Sequence, residues 1–348
     1  MTDFFQSILG VVGLNLNIVW FLLVGILFTG YAILDGFDLG VGITNLFVKT
    51  DEEGRVLLNT IGPVWNGNEV WLVTGGGALF AAFPKVYATV FSGFYLAFIL
   101  LLVSLIFRAV AIEFRDKQPQ AWWRRTWDVG FCLGSVVAAL LIGVALGNIA
   151  RGIPLTVIDG EIEYAGGFFN LLNPYALVIG LMTVALFAMH GSIYAMMKTE
   201  GALREKLRGT ANKAFIVFGV LLVISAVMTW LCVPGGTKRL MINSPGLIAV
   251  IITIPLQLHH RRDFLAFLFS CATIFCLMAS FGLGMFPNLV LSNPDPANSL
   301  NIYNAASSQK TLSIMLVIAL IGMPIVLTYT AFIYYTFRGK VKLDNHSY

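Results

Sequence analysis

The sequence predicts an all-α, polytopic integral membrane protein with about nine transmembrane helices. Three observations predict this class: 58% of the 348 residues are hydrophobic, 11% are charged, and the mean hydropathy is +0.83. Soluble domains carry about 25% charged residues, and a helix needs about 20 apolar residues to cross a bilayer. Residues 1–348 are therefore expected to form a single membrane domain.

The apolar runs give the order of the predicted spans. They are 17–37, 58–82, 86–110, 127–149, 174–197, 213–233, 245–259, 263–285 and 311–337. Span two is polar in its first half, and span seven is short and carries Pro255, which kinks or shortens a helix. The first run lacks a basic N-terminal flank, which argues against a signal peptide and favours a retained helix.

Lysine and arginine are divided unevenly between the connections. Of the 22 basic residues, 17 follow odd-numbered spans or lie in the C-terminal tail, with Arg108 assigned to the connection after span three. Cytoplasmic loops carry such an excess, which predicts a periplasmic N-terminus and a cytoplasmic C-terminus. Because these loops account for the net charge of +4, the charge does not indicate a nucleic-acid partner.

Residues 29–84 bring polar side chains close to long apolar runs: Asp35, Asp38, Asn66, Asn68 and Glu69. A charge at a helix centre costs roughly 2.5–3.5 kcal/mol on insertion scales, and such residues usually pair or line an ion path. Asp35 and Asp38 are three residues apart, as are Asn66 and Glu69, so each pair shares a helix face. Both pairs are expected in the cytoplasmic half, where they could pass protons inward.

A structural role is the alternative for these groups. Asp35 and Asp38 could cap or turn the chain at the membrane edge, since glycines surround them. For Glu69, which lies deeper in its span, function is favoured. The small residues Gly75–Gly77 favour plain helix packing.

Histidine and cysteine offer few metal ligands. The four histidines are His190, His259, His260 and His346, and only His190 lies near the interior of a span. A bis-histidine haem needs two facing interior histidines, so a hydrogen-bonded packing role is favoured for His190. The four cysteines, Cys132, Cys232, Cys271 and Cys276, lie in apolar runs without metal or redox spacing. No catalytic residue or metal ligand is assigned.

Six segments carry a resemblance over essentially the whole chain. They are GYAILDGFDLGVG (30–42), GPVWNGNEVWLVTGGGALFAAFP (62–84), FSGFYLAFILLLVSLIFR (91–108), IGVALGNIARGIP (142–154), FNLLNPYALVIGL (169–181) and ASSQKTLSIM (306–315). In this order they resemble subunit II of the cytochrome bd-type quinol oxidases.

The resemblance implies a quinol:oxygen oxidoreductase of the bacterial inner membrane, in which oxygen is reduced to water. Haem b and haem d are expected in subunit I, and this chain is expected to carry no haem, to stabilise subunit I and to contribute to a proton path from the cytoplasm. A structural quinone is a further possibility, without assigned residues. The implied partners are subunit I, quinol through the complex and the lipid bilayer, with a small accessory subunit left open.

Few functional residues of the family can be matched to positions in this sequence. Asp38 matches the family aspartate of the DGFD segment. Asn66 stands where relatives often have a proton-path aspartate; an amide cannot titrate, so this step needs bound water or a neighbour. Glu69, one turn further on, is the candidate substitute, because many relatives carry glutamine there. This exchange points to the cyanide-insensitive branch of the family.

Three functions are weighed: the haem-free subunit of a terminal oxidase, a proton-coupled membrane transporter, and a structural partner that conducts nothing. Transporters often show inverted repeats and broken helices at midplane. This sequence shows no clear repeat, and its polar group lies off-centre. The oxidase subunit is therefore favoured.

Overall fold

The computed structural model describes residues 15–48, 50–236 and 244–343, and these ranges contain eleven α-helices. The helices are α1 Leu16–Thr44, α2 Asp51–Ile61, α3 Trp65–Ala82, α4 Pro84–Gly93, α5 Tyr95–Phe114, α6 Ala121–Arg151, α7 Pro174–Lys198, α8 Gly201–Cys232, α9 Ser244–His259, α10 Asp263–Met285 and α11 Gln309–Thr336. Residues 1–14, whose flank argued against a signal peptide, lie outside this description, as does His346.

Seven helices in the described part of the chain are long and apolar enough to cross a membrane: α1, α5, α6, α7, α8, α10 and α11. The predicted number of nine is not confirmed. Two of the predicted spans give shorter helices, α3 with 18 residues and α9 with 16 residues. The first turns of α3 carry Asn66, Asn68 and Glu69, which lower its hydropathy.

The predicted span 58–82 is wrong at its start, because residues 58–61 belong to a separate helix, α2. Thr50 caps α2 in a reciprocal capping box with Glu53, and three acidic residues fill its first turn. This arrangement favours helix initiation at Asp51. The apolar face of α2 buries Leu57, Leu58 and Ile61, and α3 then begins at Trp65.

The predicted span 86–110 divides at Phe94 into α4 and α5. Thr89 on α4 donates a hydrogen bond to the Ile162 carbonyl at 2.9 Å. A Cβ added at Gly93 would lie 2.7 Å from Cβ of Tyr164, so the chain at the break packs closely on this hairpin. These contacts hold α4 at the end of the helical layer.

The connections after predicted spans four and eight contain β-hairpins. Strand β1 (Leu155–Ile158) pairs antiparallel with β2 (Glu161–Tyr164), and β3 (Asn288–Val290) pairs with β4 (Leu300–Asn301). The Ile153 amide donates to the Leu291 carbonyl at 2.9 Å and joins the two hairpins. We call this side of the molecule the hairpin end.

Ion pairs cluster at the opposite end, around Arg115. Its guanidinium donates to Asp128 and Asp51, each at 2.8 Å, and to Asp116 at 3.1 Å. Arg124 bonds the second Asp51 oxygen at 2.8 Å. This network ties α2, α5 and α6 together beside the C-terminus of α1, and we call this side the ion-pair end.

The core between the two ends depends on one close backbone approach. A Cβ added at Gly191 on α7 would lie 2.4 Å from the Gly40 carbonyl carbon on α1. Only glycine permits such an approach. It brings Phe37 of α1 into a stack with Tyr194 of α7, with ring centroids 3.9 Å apart, and fixes α1 where the polar residues of the next section lie.

Candidate functional site

A buried ion pair joins α1 to α5. Nη1 of Arg108 donates to Oδ1 of Asp35 at 2.7 Å, and both side chains are fully buried. Nη2 of Arg108 lies 3.7 Å from Oε2 of Glu69 on α3. One guanidinium therefore links carboxylates from two other helices. Arg108 was assigned to a loop in the sequence count, and this assignment is wrong because Arg108 lies inside α5.

A second chain of hydrogen bonds begins at Asp38, one turn from Asp35. Oδ2 of Asp38 accepts a hydrogen bond from Nδ2 of Asn68 at 2.8 Å. Oδ1 of Asn68 accepts one from the Tyr334 hydroxyl on α11 at 2.9 Å. Asp38 and Asn68 are both buried. We call Asp35, Asp38, Asn68, Glu69, Arg108 and Tyr334 the buried polar cluster.

The cluster lies off-centre, toward the ion-pair end. At a rise of about 1.5 Å per residue, Asp35, Asp38 and Arg108 lie roughly 9–14 Å from the helix ends on that side, and Glu69 lies about 6 Å inside the start of α3. The expected position of Glu69 was deeper, because the sequence placed the start of this span earlier. All members share the half of the molecule that the basic loops predict to be cytoplasmic.

The charges of the cluster do not balance when every carboxyl group is ionised. Asp35, Asp38 and Glu69 face the single guanidinium of Arg108. Burying excess charge is costly, and like charges held together favour proton uptake by one of them. In addition, Oδ1 of Asp38 and Nε of Arg108 have no hydrogen-bond partner among the described residues. Protonation of one carboxyl group would therefore reduce the excess charge of the cluster.

Exposure distinguishes Glu69 from the aspartates. The Glu69 side chain is 23% exposed, whereas Asp35 and Asp38 are fully buried. Asn66 is exposed on the outer face of α3 and is not part of the cluster. The structure therefore brings together three of the four predicted path residues, Asp35, Asp38 and Glu69.

Two cluster residues were missed and one was noted but not selected. Asn68 belongs to the polar set read from the sequence, yet Asn66 was chosen on family grounds. Arg108 carried an unused signal: it ends a long apolar run, and a lone charge in such a run marks a site by the argument applied to the carboxylates. Tyr334 gave no signal, because its contact comes from a helix 266 residues away in sequence.

His190 is engaged at both ring nitrogens. Nδ1 lies 2.7 Å from the Ser270 hydroxyl, and Nε2 lies 3.0 Å from the Ile33 carbonyl. The Ile33 carbonyl can only accept, so Nε2 carries a proton. The ring also stacks on Phe267 at 5.0 Å. This environment does not fit haem ligation, which would break one of the two bonds.

The other two described histidines and the four cysteines lie apart. His259 and His260 are exposed at the end of α9. Cys132, Cys232, Cys271 and Cys276 are free thiols. In residues 15–48, 50–236 and 244–343, no three His, Cys, Asp or Glu side chains are close enough to hold a metal ion.

Comparison with known families decides the assignment. The family model described as cytochrome bd terminal oxidase subunit II matches residues 16–337. The chain belongs to this family. This result argues against the transporter alternative. The subunit II chain is part of an oxidoreductase complex, and the name of the family implies a partner subunit I.

Characterised relatives of subunit II cover nearly the whole chain. The chain is similar to cytochrome bd-I ubiquinol oxidase subunit 2 of Escherichia coli, with 37% identity over 95% of this chain and 96% of the relative. It is also similar to cytochrome bd ubiquinol oxidase subunit 2 of Bacillus subtilis, with 34% identity over 94% and 97%. With seven apolar helices in its described residues, the subunit is a multi-pass protein of the bacterial inner membrane.

A solved structure supports the fold. The structure of bd oxidase from Geobacillus thermodenitrificans superposes with a TM-score of 0.77, covering 93% of this chain and 99% of that chain. Sequence identity is 16%, so this similarity concerns the fold alone.

Proposed function

We propose that the subunit II chain pairs with and stabilises a haem-bearing subunit I and gives protons a path from the cytoplasm toward the oxygen-reducing site of that partner. The observation that carries this proposal is the buried polar cluster, in which Arg108 bonds the buried Asp35 and lies 3.7 Å from the partly exposed Glu69. Groups of this kind are retained in membranes when they pair or line an ion path.

The proposed topology has nine crossings, with the hairpin end periplasmic and the ion-pair end cytoplasmic. Two shorter helices, α3 and α9, complete the number. Contacts of α3 with both ends support its crossing: Asn68 bonds Asp38 in the half nearer the ion-pair end, and the Ala81 carbonyl accepts from Ser307 at the hairpin end. Removing Arg108 from the basic count leaves the excess on the cytoplasmic side intact.

Glu69 is the proposed point at which protons enter the cluster. It is the carboxylate with exposure, and Arg108 links it to the buried Asp35. Asp38 lies one turn along α1 and holds an oxygen without a partner among the described residues. Asn66 lies one turn from Glu69 toward the ion-pair end, where its amide can orient water at the entrance. Relatives often have a proton-path aspartate at the position of Asn66. In this proposal Glu69 takes over the role of that aspartate.

The outer face of α3 is the proposed contact with subunit I. A stripe of exposed residues follows this face: Asn66, Gly67, Val70, Thr74 and Gly77. A Cβ added at Gly67 or Gly77 would meet nothing within 4 Å. Small residues let membrane helices approach closely, and an amide facing lipid is unfavourable. A partner on this face would cover Asn66 and enclose the entrance at Glu69.

Haem b and haem d belong, in this proposal, to subunit I, where quinol is oxidised and oxygen is reduced to water. The environment of His190 supports this division, because both ring nitrogens already have partners. A structural quinone, a small accessory subunit and annular lipid are further proposed partners, without assigned residues.

Glu69→Gln in the purified complex tests the proposed path. We expect slower quinol-oxidase turnover and slower proton uptake, with an unchanged ratio of haem to protein, because glutamine keeps the shape and removes the titrating group. Glu52→Gln is the matched control, since Glu52 is exposed at the same end of the molecule. If Glu69→Gln retained wild-type turnover, Glu69 would have a structural role and would not be part of the proton path.

A further inference from the structure

Tyr334 is joined to the rest of the buried polar cluster by the side-chain amide of Asn68. Its hydroxyl donates to Oδ1 of Asn68 at 2.9 Å, while Nδ2 of Asn68 donates to Asp38 at 2.8 Å and reaches the Leu34 carbonyl at 3.4 Å. A side-chain amide has one accepting and one donating end. A donor at Oδ1 therefore favours the orientation in which the NH₂ group faces Asp38.

The position of Tyr334 on α11 is unusual for that part of the helix. Most of its neighbours are exposed, including Tyr329 at 64% and Phe332 at 63%. Tyr334 and Ile333 instead pack against the main core. Tyr334 thus carries the hydroxyl that links α11 to the interior near Asp38.

We infer that Tyr334 is a positioning residue for Asp38, acting through Asn68. This inference rests on the proposed proton path. While Asp38 is ionised, the Asn68 NH₂ group donates to it and the phenol donates to Oδ1. When Asp38 has taken up a proton on Oδ2, the amide rotates by half a turn: Oδ1 accepts the carboxylic O–H, and NH₂ donates to the phenol oxygen.

Only a hydroxyl serves both states, because it can donate or accept. The proton stays on Asp38 throughout, so Tyr334 and Asn68 orient the carboxyl group and carry no proton themselves. The other charged groups near Asp38 are Asp35 on α1, Glu69 on α3 and Arg108 on α5. None of them is changed in the variants that test Tyr334.

The test uses the purified oxidase complex with Tyr334→Phe, which keeps the ring and removes the hydroxyl. We expect turnover to fall by about two- to tenfold, the scale of one hydrogen bond, with an unchanged ratio of haem to protein. Tyr329→Phe is the matched control, because Tyr329 is an exposed tyrosine on the same helix. In an Asn68→Leu background, Tyr334→Phe should cause no additional loss.

Infrared difference spectroscopy gives an independent measurement. The carboxyl band that Asp38→Asn removes should move in Tyr334→Phe and stay in place in Tyr329→Phe. If Asn68→Leu abolishes turnover, the position of this carboxyl band tests the inference in place of the turnover measurement.

Several outcomes would overturn the inference. An equal loss with and without Asn68 would mean that Tyr334 acts independently of this amide, and a loss matched by loss of haem would mean that it only packs. Wild-type turnover in Tyr334→Phe, together with slow turnover in Asp38→Asn, would refute the inference and leave the proton path standing. Wild-type turnover in Asp38→Asn would refute the path through Asp38 and this inference with it.

Discussion

Arg108 and Asp35 form an ion pair with an N–O distance of 2.7 Å and no exposure of either side chain. The two residues are 73 positions apart in sequence. Asp35 lies on α1 and Arg108 on α5, both in the half of the molecule nearer the ion-pair end. A buried pair of this kind contributes little net stability when complete, but its loss leaves an uncompensated charge. The prediction for Arg108 depends on this asymmetry.

Removing the guanidinium should destabilise the subunit strongly. Arg108→Met leaves Asp35 buried without its partner, which costs about 3–5 kcal/mol. Thermal unfolding of the purified complex should show a lower apparent Tm. The double variant Arg108→Met with Asp35→Leu should recover part of the loss, because neither charge is then left alone. Arg125→Met, an exposed arginine on α6, is the control; a loss equal to that of Arg108→Met would contradict the prediction.

An added carboxyl at position 66 should compensate for loss of the one at Glu69. Asn66 lies one turn from Glu69 on the exposed face of α3. We expect Glu69→Gln to slow turnover by about tenfold or more, on the scale of a lost acid–base group. Asn66→Asp in the same chain should restore part of the rate. Quinol-dependent oxygen consumption measures both, and no recovery in the double variant would exclude Asn66 as a position on the path.

A methyl group at Gly191 should separate α1 from α7. Its Cβ would lie 2.4 Å from backbone of Gly40, so one helix must move. Overpacking of this kind typically costs about 1–3 kcal/mol. The apparent Tm of the complex should fall, and turnover should fall with it because Asp38 lies two residues from Gly40. Gly219→Ala on α8 meets nothing within 4 Å and should leave the Tm unchanged or raise it.

Replacing His190 should alter packing and leave the haem spectrum intact. His190→Phe keeps a ring against Phe267 and removes the bonds to Ser270 and Ile33. Each unsatisfied buried group costs about 1–3 kcal/mol, so the Tm should fall. The reduced-minus-oxidised spectrum per complex should be unchanged. Loss of one haem signal in correctly assembled His190→Phe would show that this subunit contributes a haem ligand.

The sequence predicted the membrane class and three members of the site because these depend on composition and local spacing. Asp35, Asp38 and Glu69 were identified by the cost of charge next to apolar runs. Arg108 was available by the same argument but was counted with the loops, since its distance from the end of the run is small. Tyr334 was beyond reach, because its role depends on where α11 packs.

Helix boundaries were predicted less well where a capping residue or a tertiary contact interrupts an apolar run. The capping box at Thr50 starts a helix that a hydropathy window merges with α3. The break at Phe94 depends on contacts from the β1–β2 hairpin, which lies about 70 residues later in the chain. The hairpins themselves have short strands, whose pairing is fixed by tertiary contacts such as that between Ile153 and Leu291.

The exposed stripe on the outer face of α3 affects how stable the subunit is before it binds a partner. A newly inserted copy exposes Asn66 and part of Glu69 on the face that we propose binds subunit I. Surrounded by acyl chains, such a copy would be a poorly solvated intermediate that associates wrongly or is removed by membrane proteases. Its abundance in the cell would then follow the supply of subunit I, so synthesis of the two chains in equal numbers would be an advantage in itself.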